Sequence, residues 1–299
     1  ARVGGLPPPL EASPALDGAS LLHVNIPVSD FESAVNFYEE VCGMAVQRRD
    51  EAGCPYVGFG PEGEHFALKL VPPTEDESVD DVLHGFCIYV TNIEDVVARA
   101  EELGATVLHE QENVTYVASL VPDETLEDPQ PWQLRAVVHD PWSGLALELV
   151  QPSDPSSPVL PSRPVGSMGH VTLKVLDLDS ATAYFTGPLG MTLHRKRSLV
   201  PTEPALSSWV SYAPSEADGT HIELRYVYGR TAGRSRARTP LRTASLALSV
   251  PDLPRALADL GATGTDEDTT EAVVPASEPH EGLELRLLDQ LAFLTASLG

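Results

Sequence analysis

HVNIPVSDFESAVNFYEEVCGM, residues 23–44, aligns without a gap with HVTLKVLDLDSATAYFTGPLGM, residues 170–191. Each copy opens with an alternating, β-branched run that is typical of a strand. Asp30 or Asp177 then precedes apolar residues at helical spacing, and an aspartate in that place suits a helix N-cap. The aligned pair therefore predicts the same strand–helix unit twice, 147 residues apart.

A second, weaker pair lies between and after these copies. GFCIYVTNIEDVVARAEELGATV, residues 85–107, resembles SLALSVPDLPRALADLGATG, residues 245–264, and both contain Leu-Gly-Ala-Thr at the end of the helix. Apolar, β-rich segments follow the four openings, at residues 56–60, 66–71, 134–139, 146–150, 209–213, 222–227 and 283–288. We therefore predict an α+β fold of four strand–helix–strand–strand–strand modules.

Composition divides the chain. Residues 1–20 are rich in Pro, Gly and Ala and predict an extended arm, while residues 153–167 have the Pro and Ser content of a linker. Between and after them we expect two domains, residues 21–152 with the first two modules and residues 168–299 with the last two. The chain begins with Ala1, which fits a processed chain and a trimmed one equally, so a targeting signal is not visible.

Charge and apolar content exclude some classes of partner. The net charge of −25 argues against nucleic acid and anionic membranes, and no apolar run reaches the length of a membrane span. Residues 1–150 hold 27 Asp and Glu against 6 Lys and Arg. The Arg-rich run from Arg225 to Arg242 is open to two interpretations, a solvated loop or a docking loop for an anion or an acidic partner. The three cysteines lack metal-type spacing and indicate buried, reduced thiols.

Several motifs carry a family resemblance. They are Val57–Glu62 followed by His65–Leu68, then Leu147–Gln151, Glu223–Gly229 and Leu288–Leu294. Together with the repeat, they resemble the vicinal oxygen chelate superfamily and, within it, the four-module glyoxalase I (lactoylglutathione lyase) and related glyoxalase-domain proteins, over residues 20–297. The resemblance implies that the βαβββ modules pair into two glyoxalase-type half-barrel domains.

The resemblance also implies where a metal would bind, because the family places one ligand on the first strand and one on the last strand of a contributing module. At these positions the four modules carry, in order, His23 and Lys69, Gly85 and Glu148, His170 and Glu223, and Ser245 and Arg286. His84 lies one residue before Gly85, and it reaches the site only if a β-bulge absorbs the offset. Nitrogen and carboxylate ligands of this kind suit Zn²⁺ or Ni²⁺.

The consequence depends on which modules face each other. If neighbours pair, each site keeps two ligands beside a cation, and both sites are expected to be empty. If the pairing is crossed, the second and third modules gather His170, Glu223, Glu148 and His84 around one metal. The first and fourth then hold a degenerate set, His23, Lys69, Ser245 and Arg286. We favour crossed pairing, with a vestigial hydrogen-bonded His170–Glu223 pair as the alternative to metal binding.

An active site of this kind would isomerise the glutathione–methylglyoxal hemithioacetal, with Glu148 and Glu223 moving the proton. Two departures count against full activity: Tyr226–Gly229 lacks the family's Asn, and acidic residues 110–130 replace a loop that helps to hold glutathione. We therefore favour a degenerate glyoxalase-like protein with weak or no activity. It would serve as an accessory subunit of a larger assembly, located in a plastid or otherwise in the cytoplasm. Its contacts would be the Pro-rich arm, the acidic first half or the Arg225–Arg242 loop. An active lyase that binds the glutathione adduct and a protein that sequesters a small molecule are the alternatives.

Overall fold

The computed structural model describes residues 16–73, 82–114, 133–152, 166–199, 204–215, 218–229, 244–260, 270–274 and 283–290. The first module comprises β1 (Ser20–Pro27), α1 (Phe31–Cys42), β2 (Ala45–Arg49), β3 (Pro55–Gly58) and β4 (Ala67–Val71). The second comprises β5 (Leu83–Tyr89), α2 (Ile93–Glu102), β6 (Thr106–Val114), β7 (Gln133–His139) and β8 (Ala146–Pro152). The third comprises β9 (Ser167–Lys174), α3 (Leu178–Thr186), β10 (Thr192–Ser198), β11 (Ala205–Ser211) and β12 (His221–Val227). The fourth comprises β13 (Ala244–Val250), α4 (Leu253–Asp259), β14 (Glu271–Val274) and β15 (Leu283–Asp289).

The predicted α+β module pattern is confirmed. In the two aligned copies, Asp30 and Asp177 cap α1 and α3, and each side chain accepts hydrogen bonds from two backbone N–H groups of the first turn. One strand differs from its expected place, since β11 begins at Ala205 rather than near residue 209. Ser207 and Ser208 are buried in this part of the strand, where they form hydrogen bonds with Glu223 and Thr182, respectively. These polar residues interrupt the apolar pattern from which the strand was predicted.

The strands form two sheets, one of the first and fourth modules and the other of the second and third modules. The seven-stranded sheet runs β14-β15-β13-β1-β4-β3-β2, and the eight-stranded sheet runs β10-β11-β12-β9-β5-β8-β7-β6. First strands meet at the centre of each sheet, where β1 pairs antiparallel with β13 and β5 pairs antiparallel with β9. This is the crossed pairing favoured from the sequence, so the second and third modules share one concave face.

Register then decides which side chains share that face. In β9 and β12, Thr172 lies opposite Glu223, and in β5 and β8, Cys87 lies opposite Glu148. Cys87 also lies opposite His170 across the β5–β9 junction. Since side chains two residues apart on a strand point to the same face, the register brings these positions together at the centre of the eight-stranded sheet.

The two sheets share one apolar core. Tyr38 of α1 is fully buried, packs against Phe86 of β5, and donates a hydrogen bond to Asp140 in the turn after β7. Asp140 also holds that turn together, because it accepts hydrogen bonds from the Trp142 N–H and the Ser143 hydroxyl. Leu16 and Ala19, the described end of the predicted arm, are buried in the core.

Other expectations fall outside the described residues: the arm at 1–15, the linker at 153–165, the Arg-rich run at 230–243 and the acidic stretch at 115–132. The division of the chain at the linker therefore stays a prediction. All three cysteines are buried and none forms a disulfide, as expected. Among the helices in the described ranges, none has the length and apolar content needed to cross a membrane.

Candidate functional site

The centre of the eight-stranded sheet holds one histidine between two glutamates. The Nε2 atom of His170 lies 3.4 Å from Glu148 Oε2 and 3.2 Å from Glu223 Oε2. Neither contact has hydrogen-bond geometry, and Nε2 is buried. Three of the four predicted ligands are thus brought together by β8, β9 and β12, with each glutamate on the last strand of its module.

Glu223 has no exposed surface, and four hydrogen bonds surround its carboxylate. Arg225 donates from Nε to Oε1 at 3.0 Å and from Nη2 to Oε2 at 2.8 Å. Ser207 donates to Oε1 at 2.6 Å and Thr172 donates to Oε2 at 2.8 Å. Burial alone would raise the pKa of Glu223, but Arg225, His170 and Ser207 outweigh it and hold that pKa well below its usual value.

Glu148 also forms an ion pair with an arginine. Arg135 of β7, which is 7% exposed, donates from Nε to Glu148 Oε1 at 2.5 Å. Burial would raise the pKa of Glu148, but Arg135 and His170 hold it far below its usual value. Each predicted ligand carboxylate is therefore already ion-paired with a buried guanidinium of the same sheet.

The proton state of His170 follows from these neighbours. Burial would lower its pKa, but Cys87 and the carboxylates of Glu148 and Glu223 outweigh that effect and raise the pKa well above its usual value. The raised pKa favours the imidazolium form of His170. With His170 protonated, two carboxylates face two guanidiniums and one imidazolium, so these side chains leave no excess of negative charge for a metal ion to neutralise.

Cys87 is a member of the cluster that the sequence reasoning missed. Ligand atoms of Cys87, Glu148 and His170 all lie within 4.8 Å of one another. The register signal was present, because Cys87 lies two residues after Gly85 on the same strand. Its spacing from the other cysteines could not reveal this role, since its neighbours in space come from β8 and β9.

His84 lies beside the cluster rather than in it. The β5–β9 register shifts between Leu83 and Gly85, which places a bulge at His84 as the sequence reasoning required. His84 lines a small cavity with Glu148 and Arg225, and burial, with Lys174 and Arg225, lowers its pKa to about 3. The group of closely spaced ligand atoms among the described residues does not include it.

At the ligand position itself, Gly85 leaves no room for a side chain. A Cβ atom built on Gly85 would lie 1.9 Å from the carbonyl oxygen of Ala146 on the neighbouring strand. No side chain fits that space while β5 stays paired with β8. The second module therefore cannot supply the first-strand ligand that the family pattern calls for.

The spacing of the ligand atoms suits a metal ion, but the charges of the neighbouring side chains oppose one. Ligand atoms around a tetrahedral Zn²⁺ at 2.0–2.1 Å lie about 3.3 Å apart, which matches the contacts of His170 Nε2. A metal-bound imidazole must however be neutral, and a cation paired with a ligand carboxylate weakens its attraction for a dication. Because the pKa of His170 is raised and both glutamates pair with buried arginines, the residues as arranged fit a divalent metal poorly.

Space around the cluster is small among the described residues. The cavity there that reaches Glu148 measures about 110 Å³, and Leu108, His109 and Arg135 are among its walls. Pockets that enclose drug-sized ligands measure roughly 300–1,000 Å³. The part of the site that the structure describes is therefore smaller than a tripeptide adduct such as a glutathione hemithioacetal requires.

The degenerate set lies in the seven-stranded sheet, in ion pairs of its own. His23 Nδ1 lies 2.5 Å from Glu62 Oε1, and Lys69 Nζ lies 2.9 Å from Asp50 Oδ2. Arg286 donates from Nε to the Ser245 hydroxyl at 3.1 Å. Burial lowers the pKa of His23, although Glu62 opposes this. Lys69 and Arg286 are cations, so the Ser245 hydroxyl is the one other oxygen or nitrogen of this set that could serve as a ligand; Glu62, which pairs with His23, lies outside the set.

Paired βαβββ modules with a buried His–Glu centre define the class of protein. The model for the glyoxalase/bleomycin resistance protein/dioxygenase superfamily matches residues 20–149. Glyoxalase I from Zea mays has the same fold, with a TM-score of 0.65 and 21% identity over 93% of this chain and 95% of that one.

Two plant relatives narrow the class to a family. The lactoylglutathione lyase of Oryza sativa subsp. japonica is 30% identical over 229 residues, which span 73% of this chain and 69% of the relative. A relative from Arabidopsis thaliana, named "Probable lactoylglutathione lyase, chloroplastic", is 27% identical over 72% of this chain and 56% of its own length. The chain belongs to the glyoxalase I (lactoylglutathione lyase) family.

Proposed function

We propose that this chain is a degenerate glyoxalase I homologue, with weak or no hemithioacetal isomerase activity. One observation carries the proposal: Arg135 and Arg225 are ion-paired with Glu148 and Glu223, the two carboxylates that would act as metal ligands and proton carriers. In this arrangement the two guanidinium groups, rather than a metal ion, neutralise the two carboxylates.

The pKa values of Glu148 and Glu223 also argue against isomerase activity. A general base works best when its pKa lies near the operating pH and when a lone pair is free to reach the substrate. The pKa values of Glu148 and Glu223 are both far below neutral, and four donors already surround the Glu223 carboxylate. Neither group is therefore suited to remove a proton from carbon.

The active-lyase alternative has its own support. The Nε2 atom of His170 has no hydrogen-bond partner among the described residues and lies at ligand spacing from two carboxylates, and relatives at up to 30% identity are lactoylglutathione lyases. For this alternative to hold, Zn²⁺ or Ni²⁺ has to compete with both arginines and to displace any proton on His170 Nε2. The cavity has also to open by more than its present volume.

The deciding experiment compares three forms of the protein after dialysis against Zn²⁺ or Ni²⁺. We expect the unaltered protein to keep well under one equivalent of metal and to show no isomerase activity above the uncatalysed rate. The Arg135→Met/Arg225→Met variant should gain metal, because it frees both carboxylates while keeping the apolar stems of the side chains. Arg99→Met, which removes an exposed arginine paired with Glu40 and Glu102, is the matched control and should behave as the unaltered protein does.

Stoichiometric metal with metal-dependent isomerase activity in the unaltered protein would instead establish the active lyase. Without turnover, the fold would serve as a subunit of an assembly, and the chloroplastic relative supports a plastid as its location. Native mass spectrometry of the protein isolated from its source tests this role. A single 32.0 kDa species at every concentration counts against an assembly.

A further inference from the structure

The wall of the cavity that reaches Glu148 carries more positive than negative charge. Arg135 and Arg225 both line this cavity, and each of them is 7% exposed. Among the described residues of the lining, Glu148 is the one carboxylate, because Glu223 is fully buried and does not reach the cavity. With histidines counted as neutral, two guanidinium groups and one carboxylate give this wall a net charge of +2 − 1 = +1, in a chain whose net charge is −25.

A neutral histidine adds a hydrogen-bond donor to the same wall. Burial, with Lys174 and Arg225, lowers the pKa of His84 to about 3. A neutral imidazole carries one ring N–H, which is able to donate to an anion. The positive charges of Lys174 and Arg225 that oppose protonation of His84 favour a negative charge at the same place.

The cavity suits a small ion, and solvent reaches it. Its volume of about 110 Å³ takes a few water molecules or one ion of similar bulk. Leu108, which is 49% exposed, and the exposed His109 form part of the wall. An ion therefore has a path into the cavity along β6.

We propose that this cavity binds a small oxyanion, a carboxylate or a phosphate, between the guanidinium groups of Arg135 and Arg225. Guanidinium groups match the geometry of carboxylate and phosphate oxygens, and charge assistance strengthens the hydrogen bonds between them. The inference rests on the proposed function, because the two arginines that oppose a metal ion are the ones that attract an anion. The centre that holds a cation in the family is thereby converted in this chain to one that holds an anion.

Calorimetric titration of the metal-free protein with formate and with inorganic phosphate tests the proposal. The ionic strength is kept low and constant with sodium chloride, because salt screens the attraction. We expect saturable binding of at least one of the two anions. Binding of formate alone identifies the ligand as a carboxylate, and binding of phosphate alone identifies it as a phosphate.

A matched pair of variants at Leu108 tests whether the anion lies in this cavity. Leu108→Glu adds a carboxylate at an exposed position of the wall, and one like charge several ångströms away should weaken binding by about threefold to tenfold. Leu108→Gln has the same bulk without the charge and should bind as the unaltered protein does. Arg135→Met removes one of the two guanidinium groups and should weaken binding by about tenfold or more. Equal melting temperatures of the two Leu108 variants check that both are folded.

No saturable binding of either anion, or equal binding by Leu108→Glu and Leu108→Gln, would overturn the inference. Binding that appears only after Zn²⁺ is added would also overturn it, because the metal and not the arginines would then hold the anion. Elemental analysis of the protein before metal removal separates this failure from failure of the proposed function. Protein that carries no metal and binds no anion refutes the anion site alone, whereas stoichiometric metal refutes the proposed function.

Discussion

Removing the charge of Arg225 is the sharpest test of how the centre is held together. Arg225→Met keeps the apolar stem but leaves the fully buried Glu223 carboxylate without its two guanidinium hydrogen bonds. Breaking a buried ion pair from one side costs about 3–5 kcal/mol. Because Ser207, Thr172 and His170 remain beside Glu223, we expect the lower end of that range, about 3 kcal/mol.

Urea unfolding followed by tryptophan fluorescence measures this cost as a loss of unfolding free energy. In the Glu223→Gln/Arg225→Met double variant the buried carboxylate is removed together with its guanidinium partner, so it should be more stable than Arg225→Met alone by about 1–2 kcal/mol. The control Arg99→Met breaks only exposed pairs and should cost below about 1 kcal/mol. If Arg225→Met costs as little as this control, the carboxylate is not held by Arg225 and the reasoning fails.

Three further predictions test other parts of the account. The raised pKa of His170 means that its contribution to stability is complete below a pH of about 6.5 and is lost as the pH rises through the folded-state pKa. Denaturant unfolding between pH 6 and 10 should therefore show a steeper alkaline loss in the unaltered protein than in His170→Gln, and parallel curves would contradict the assigned imidazolium. Gly85→Ala should cost about 3 kcal/mol or more by forcing β5 away from Ala146, whereas Gly58→Ala, whose added Cβ finds ordinary contacts, should cost far less; equal melting temperatures would refute the steric argument. Asp177→Ala removes the N-cap of α3 and should cost about 1 kcal/mol in thermal unfolding, and an unchanged melting temperature would show that the cap contributes nothing.

The fold was predictable because repeats and periodicity are local properties of the chain. The strand–helix opening recurs with the same Asp at the helix start, and the structure has that cap in both aligned copies. The crossed pairing could be favoured because ligand losses at Lys69 and Arg286 then fall in one sheet. Periodicity could not place the start of β11. Its serines are buried because their hydroxyl groups form hydrogen bonds with residues distant in sequence, and no local pattern reveals those bonds.

The sequence pointed to His170, Glu148 and Glu223 of the cluster, but not to Cys87 and not to the electrostatics. Glu223 and Arg225 lie two residues apart on one strand, so their pairing was within reach of the sequence. Arg135 is different, since it meets Glu148 diagonally across β7 and β8, and that contact depends on the register between the two strands. The close approach of the Ala146 carbonyl to Gly85 likewise exists only once two strands are paired.

The central claim is that the cations of this chain, and not a metal, balance Glu148 and Glu223. The most direct measurement is anomalous X-ray diffraction at the zinc edge from crystals of the unaltered protein grown with excess Zn²⁺. The account predicts no anomalous peak beside His170, with Arg135 and Arg225 still bonded to their glutamates. A full-occupancy peak within about 2.0–2.2 Å of His170 Nε2 and both carboxylates would contradict it.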